Sequence, residues 1–321
     1  MKNQEQIMQI RTLTSKDIPQ AVKGWNNCFI YDQVTEQRFR HIVLDDPNYE
    51  ADGNLVATDG DEVIGFVSAI AREGVAGRDG RGRPEEIDYG YIKGLYLLEG
   101  RDMQIKRQLL KRAFDYLCSK GKRIVRVLLY TGHYFFPGID TRYETELSFY
   151  ESQGFQKITT VDDVAADLRD FQPTEYQQDA QRRMQKIGVK VVDYQPSMLT
   201  AMRDFVEKIQ IPHWFPEGWE EGFGESGHTL VALKENDVVG WANYWPHPES
   251  GSFGPIAVLP EFREHGIGTC LLMESMLRMQ RLSTPKVVAG WAATEFYLKS
   301  GWYICRQYIV FQKELNSNAK P

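Results

Sequence analysis

The chain has 321 residues, 42% hydrophobic and 26% charged, with a formal net charge of −6 at neutral pH: enough for two folded domains of about 150 residues each, and too acidic for a main partner that is nucleic acid or an anionic membrane. No apolar run is long enough to span a bilayer, and the opening MKNQEQIMQI holds no apolar leader segment. Four widely spaced cysteines, Cys28, Cys118, Cys270 and Cys305, form no C-x-x-C pair, which argues against a disulfide framework or a zinc site and for a reducing cytoplasm.

In chain order, IRTLTSKDIPQAVKGW predicts a strand followed by a helix. LVATDGDEVIGF, Leu55 to Phe66, predicts a hairpin: an apolar strand, a tight polar turn, and a second strand ending in Gly-aromatic. Ala71 to Glu86 is rich in Gly and Arg and is expected to be a solvated, mobile loop. A strand from Tyr91 precedes the helix RDMQIKRQLLKRAFDYL. After the apolar strand RIVRVLLY, His133 to Asp140 either shapes a pocket or caps the core. FYESQGF then reads as a helix end with glycine at the stop and a strand beyond it.

The same order returns. VKVVDYQPSMLTAMRDF echoes the first strand and helix, LVALKENDVVGW (Leu230 to Trp241) aligns without a gap with the first hairpin, and FYLKSGW (Phe296 to Trp302) aligns with FYESQGF. Between the halves lies a polar stretch in which Pro173-Thr174-Glu175 reads as a helix start. The expected organisation is an α+β (mixed α/β) protein with one domain at 1–170, a connecting helix at 171–186 and a second domain at 187–321.

The halves differ at one place. In the second, a strand from Gly254 to Val258 is broken by Pro260, and Arg263-Glu264-His265-Gly266-Ile267-Gly268-Thr269 leads into a helix with apolar residues at 272, 273, 276 and 279. Free N–H groups at a helix start form an anion site, glycines admit a phosphate to the backbone, and Arg263 adds charge. From these residues alone, an anion-binding loop and an ordinary turn both stand. In the first half the glycines are replaced by Arg101-Asp102-Met103-Gln104-Ile105, with Arg101, Lys106 and Arg107 supplying local positive charge.

The order V-x-P-x-x-R-x-x-G-x-G-T, followed one helix and one strand later by FYLKSGW, resembles the GNAT superfamily of N-acetyltransferases. The resemblance implies two tandem domains, each a mostly antiparallel twisted sheet with a splayed central strand pair and flanking helices. It implies acetyl-CoA held by the second domain and no metal. The loop Arg263, Glu264, His265, Gly266, Ile267, Gly268 and Thr269 would hold its pyrophosphate. The strand residues Ile256, Ala257 and Val258 would bind the pantetheine arm and acyl carbonyl, and Tyr297 would protonate the departing thiolate. Tyr150 matches Tyr297 in the first domain, which is read as degenerate. The family's N-x-x-A helix start is only half kept, with Gly290 in place of the Asn and Ala293 present.

For an amine acceptor, the aromatic and acidic loop Pro212 to Gly227 offers Trp214 and Glu217, with Glu249 in the turn before the glycine-loop strand. The same loop reads equally as one that docks its aromatics on the other domain. His213, His247 and Glu249 are candidate bases, and each also reads as a solvated loop residue. His265 is expected to offer backbone N–H rather than act as a base. The predicted function is acetyl transfer to a primary amine of a small molecule or peptide. The alternative is a non-catalytic acyl-CoA-binding or interaction scaffold. Acceptor identity and oligomeric state are not legible in the sequence.

Overall fold

A computed structural model describes residues 8–211 and 213–315. Residues 1–7 of the opening segment and Pro212, at the head of the aromatic loop, lie outside them. The chain forms two compact units, one comprising residues up to Thr160 together with those from Tyr308 onward, the other Val161–Gln307.

The first unit runs β1 (Met8–Thr12), α1 (Ile18–Cys28), α2 (Glu36–Val43), β2 (Asn54–Asp59), β3 (Glu62–Ala71), β4 (Tyr89–Leu97), α3 (Met103–Ser119), β5 (Ile124–Val127), β6 (Ile139–Asp140) and α4 (Glu144–Ser152). β1 to β4 pair antiparallel in sequence, and β4 then runs parallel to β5 through Tyr89–Ile92 only. The hairpin turn is as expected, with Gly60 at φ 59° between β2 and β3. Trp25 of α1 is fully buried and stacks on Phe135 at 3.9 Å, so the His133–Asp140 segment caps this core.

The Gly-rich excursion departs from expectation. Arg72 and Glu86 are buried, and Arg72 pairs with Asp79 at 3.1 Å and Glu86 at 3.7 Å. Its guanidinium lies 4.1 Å over the Tyr130 ring and donates to the Thr131 carbonyl oxygen at 2.6 Å. Composition suggested solvent, but the arginine is a buried anchor whose charge is satisfied inside the loop itself.

β7 (Gln156–Asp167) begins in the first unit and ends in the second, where α5 (Glu175–Lys186), β8 (Val189–Asp193), α6 (Leu199–Ile209), β9 (Thr229–Lys234), β10 (Asp237–Trp245), β11 (Gly251–Val258), α7 (Ile267–Arg281), β12 (Lys286–Ala292) and α8 (Thr294–Leu298) follow. β13 (Tyr303–Glu314) closes the chain. Within the second unit the sheet order is β7-β12-β11-β10-β9-β8. All pairs are antiparallel except β11 with β12, which meet in parallel at Gly251–Val287 and Ser252–Val288 and then part. This is the expected splay, and it leaves the end of β11 open on one side.

The far end of β13 returns to the first unit, where Phe311–Glu314 pair with β5 and Tyr308–Ile309 with β6. Each half thus ends on a strand that crosses out of the unit it starts in. The capping box at Thr174 and Gln177 starts α5 where Pro-Thr-Glu predicted a helix, and α5 lies within the second unit, packed on α7.

Candidate active site

α7 carries the four predicted apolar positions, Leu272, Met273, Met276 and Met279, all buried. Its start is unusual. The N-cap is Gly266 at φ 84°, Glu264 also has positive φ at 65°, and no side chain caps the helix. The N–H groups of Ile267, Gly268 and Thr269 therefore face outward with the positive end of the helix dipole behind them. They open on a cleft of about 270 Å³ lined by Val258, Arg263, Glu264, Gly266, Ile267, Gly268 and Thr269, together with Phe262, Phe296, Tyr176 and Arg183.

The two glycines serve different ends. A β-carbon on Gly266 would stand 2.7 Å from the Ala180 Cα, so the turn must be glycine for α5 to pack there at all. A β-carbon on Gly268 would meet only Phe296 at 3.4 Å and Val258 at 3.8 Å, both cleft walls. These are ordinary contacts, so the fold does not demand glycine at 268, and the space over its backbone opens on the cleft. Arg263 is exposed, and its Nε donates to the Val258 carbonyl oxygen at 3.3 Å, which holds the guanidinium beside the cleft mouth. An uncapped helix start, room over Gly268 and a tethered cation together fit a diphosphate.

Of the predicted cofactor residues, Ile256, Ala257 and His265 do not line this cleft. Ile256 and Ala257 are half-buried on β11, paired with Ala242 and Trp241, and His265 is exposed. Tyr297 is buried beside the cleft wall, its ring 5.0 Å from Phe296 and 5.1 Å from Trp302. Burial raises its phenol well above the ordinary value, so it is protonated throughout the neutral range. Trp214, Glu217 and Glu249 are exposed and outside the cleft.

The aromatics of the Trp214 loop turn to their own unit. Phe215 lies 4.6 Å from Trp241, and Phe223 stacks edge-on against Tyr194 at 4.9 Å. Glu220 pairs with Arg203 at 3.3 Å. The Nδ1 of His247 accepts the Glu249 N–H at 3.2 Å, closing the turn. Gly290 has a local reason: a β-carbon there would stand 3.2 Å from Asp163 Oδ1, the oxygen that accepts the Trp291 N–H at 3.0 Å. Trp291 itself sits at φ 52° in a bulge of β12.

Four lining residues stand outside the predicted set: Phe262 and Phe296 beside the loop, and Tyr176 and Arg183 on α5. Tyr176 and Arg183 stand seven residues apart, which is two helical turns, so a shared flank was readable from spacing. What that flank faces was not.

The matching place in the first unit is closed by its own side chains. Asp102 caps α3, its Oδ1 accepting the Gln104 N–H at 2.9 Å, so a carboxylate already sits at the helix start. Two of the three cations expected there are neutralised: Arg101 pairs with Asp59 at 2.7 Å and with Glu62, and Lys106 pairs with Glu146 at 2.6 Å, while Arg107 is exposed. Just past the point where β4 and β5 part, Lys93 is fully buried against Asp46 at 2.7 Å, with the Ile42 carbonyl and the Tyr130 hydroxyl in the same network. Tyr150 is buried, its ring near Phe311 at 6.0 Å.

Residues 225–304, which hold the hairpin's second copy, β11, the glycine loop and α8, match the family model described as an acetyltransferase (GNAT) domain. That stretch of the second unit is a GNAT domain. Among solved structures, the chain is similar to the glucosamine N-acetyltransferase region of a fungal multi-domain β-N-acetylglucosaminidase, with a TM-score of 0.78 and 17% identity over 96% of this chain and 38% of that one. A GCN5-related N-acetyltransferase from Sphaerobacter thermophilus gives 0.68 and 15%, covering 96% of this chain and 95% of that one. A tandem GNAT protein from the clavulanic acid pathway gives 0.66 and 12%, covering 96% and 98%. At these identities the likeness is one of fold. No curated protein matches the chain.

Proposed function

We propose that this protein is an acetyl-CoA-dependent N-acetyltransferase of the GNAT superfamily, in which the second unit holds the cofactor and the first does not. The observation that carries the reading is the contrast between two helix starts: that of α7 is uncapped and opens on a cleft, whereas that of α3 is filled by Asp102. Acetyl-CoA would supply the thioester whose acyl group passes to the amine. The chain's own contribution is to bind and orient. The N–H groups at 267–269 and Arg263 take the diphosphate, Val258 lines the approach toward β11, and the open side of β11 leaves backbone groups to polarise a carbonyl oxygen.

The new bond joins acyl carbon to amine nitrogen as the carbon–sulfur bond breaks. The amine loses one proton to a base, and Tyr297 gives one to the sulfur. Tyr297 suits that part because burial keeps it protonated, and it adjoins Phe296 on the cleft wall. The acceptor would be a primary amine on a small molecule or peptide, met by Trp214, Glu217 and Glu249. Amino sugars are the first to try, given the glucosamine N-acetyltransferase region among the similar folds. A cytoplasmic location belongs to the same reading, and no helix of the described residues is long and apolar enough to cross a membrane.

Calorimetric titration with acetyl-CoA tests the proposal. One site per chain is expected, lost on a bulky substitution at Gly268. Two sites would contradict a closed first unit. No binding by the folded protein would leave the interaction scaffold as the better reading.

A further inference from the structure

The cleft has a wall that the glycine loop does not account for. Tyr176 and Arg183 project from one flank of α5, about 10 Å apart along its axis, and both line the cleft with Gly266 and Gly268. α5 is locked in place by the Thr174–Gln177 capping box at its start, by the burial of Ala180 and Met184, and by the close approach of Gly266 to Ala180. Tyr176 is 38% exposed, and its ring has no aromatic partner among the described residues. The guanidinium of Arg183 is bonded to Asp179 through Nη1, which leaves Nε and Nη2 without partners among the described residues. Asp179 is shared with Arg182 at 3.3 Å, so this helix face carries a net positive charge. Glu264 is the one carboxylate lining the cleft, against Arg183 and Arg263.

Two cations are more than a diphosphate on a helix start requires. Arg263 is tethered at the loop, on the Val258 side; Arg183 belongs to α5, which packs against the glycine turn at Ala180. A flat exposed ring and a guanidinium with Nε and Nη2 still available, on one rigid helix, form a pair suited to a base and a phosphate.

We infer that α5 reads the nucleotide end of the cofactor, with Tyr176 against the adenine ring and Arg183 on the ribose 3′-phosphate, so that the protein selects acetyl-CoA over acyl carriers that lack that phosphate. The inference rests on the cofactor assignment proposed above. It makes the helix between the two repeats part of the binding site and not only a connector.

The test is titration of the full chain with acetyl-CoA and with acetyl-dephospho-CoA, for the wild type, Arg183→Gln, Tyr176→Ala and Tyr176→Phe. The wild type should prefer acetyl-CoA by about tenfold, the worth of one solvent-accessible charge-assisted contact. Arg183→Gln should lose that factor for acetyl-CoA and bind the dephospho form as the wild type does. Tyr176→Ala should weaken both ligands alike, and Tyr176→Phe should restore them. Both side chains are surface-exposed, so unfolding midpoints should stay unchanged. A preference retained in Arg183→Gln overturns the inference, as does an equal loss for both ligands, which would put Arg183 on the diphosphate. Failure of the wild type to bind either ligand overturns the cofactor assignment and this inference with it, whereas normal binding indifferent to Arg183 and Tyr176 overturns the inference alone.

Discussion

Gly266 lies against the backbone of Ala180 so closely that a β-carbon would stand 2.7 Å from the Ala180 Cα, and closer still to its carbonyl oxygen. Gly268, two residues on, has no such neighbour. The pair therefore separates stability from binding. Gly266→Ala adds a clash to a left-handed backbone and should cost about 2–4 kcal/mol in unfolding free energy. Gly268→Ala sits in a helix and should leave stability equal or raise it by about 0.5–1 kcal/mol, while weakening acetyl-CoA about tenfold or more. Denaturant melts and titrations on the two variants check this; a binding-neutral Gly268→Ala would remove the loop from the site.

Tyr297→Phe should lower kcat by about 10²-fold, the scale of one general acid, with acetyl-CoA affinity retained. Because burial raises the phenol above its ordinary value, the wild-type rate should show no loss from tyrosine ionisation up to at least pH 10. A variant with unchanged kcat would return Tyr297 to packing between Phe296 and Trp302.

Replacing Glu217, Glu220 and Glu221 by Gln should raise KM for a cationic acceptor several-fold and leave KM for acetyl-CoA unchanged. Glu220 also pairs with Arg203, so the single Glu220→Gln change reports any cost of losing that exposed contact, expected at under about 1 kcal/mol. Acceptor kinetics that ignore all three carboxylates would detach the loop from substrate.

Lys93 and Asp46 are both 0% exposed. Removing only the lysine, as in Lys93→Met, strands a buried carboxylate and should destabilise the protein by about 3–5 kcal/mol. Burial also lowers the Lys93 pKa from 10.5 to about 8, against the pull of Asp46. Between those values the unfolded chain binds the extra proton, so this group's contribution to stability is smallest below pH 8 and rises toward pH 10.5. The stability difference between wild type and the double variant Lys93→Met/Asp46→Asn, followed from pH 7 to 10, should move in the wild type's favour as pH rises. A flat difference would mean the lysine titrates at its ordinary value.

What the sequence revealed followed from local chemistry. Both hairpins, the helix stops at Gly154 and Gly301, the start of α5 and the glycine loop all depend on residues a few positions apart, where turn and capping rules act. Lys93 shows the limit: it reads as one charge in an apolar strand, and its partner Asp46 is 47 residues away. The burial of Arg72 is illegible for the same reason, since its anchoring depends on Tyr130. The crossing of β7 and β13 leaves no local mark, because a strand that pairs in one sheet has the same alternation as one that pairs in another.

That crossing orders events during synthesis. The first unit's sheet includes Tyr308–Glu314 beside β5 and β6, whereas the second unit is complete at Gln307. On the ribosome, the half made first must wait for Tyr308–Glu314, with the edge of β5 left unpaired in the interval. The half made second can close before it. Translation runs from amino to carboxyl terminus; completion of the two units runs the other way, and a chain without Tyr308–Glu314 would leave its oldest part unfinished.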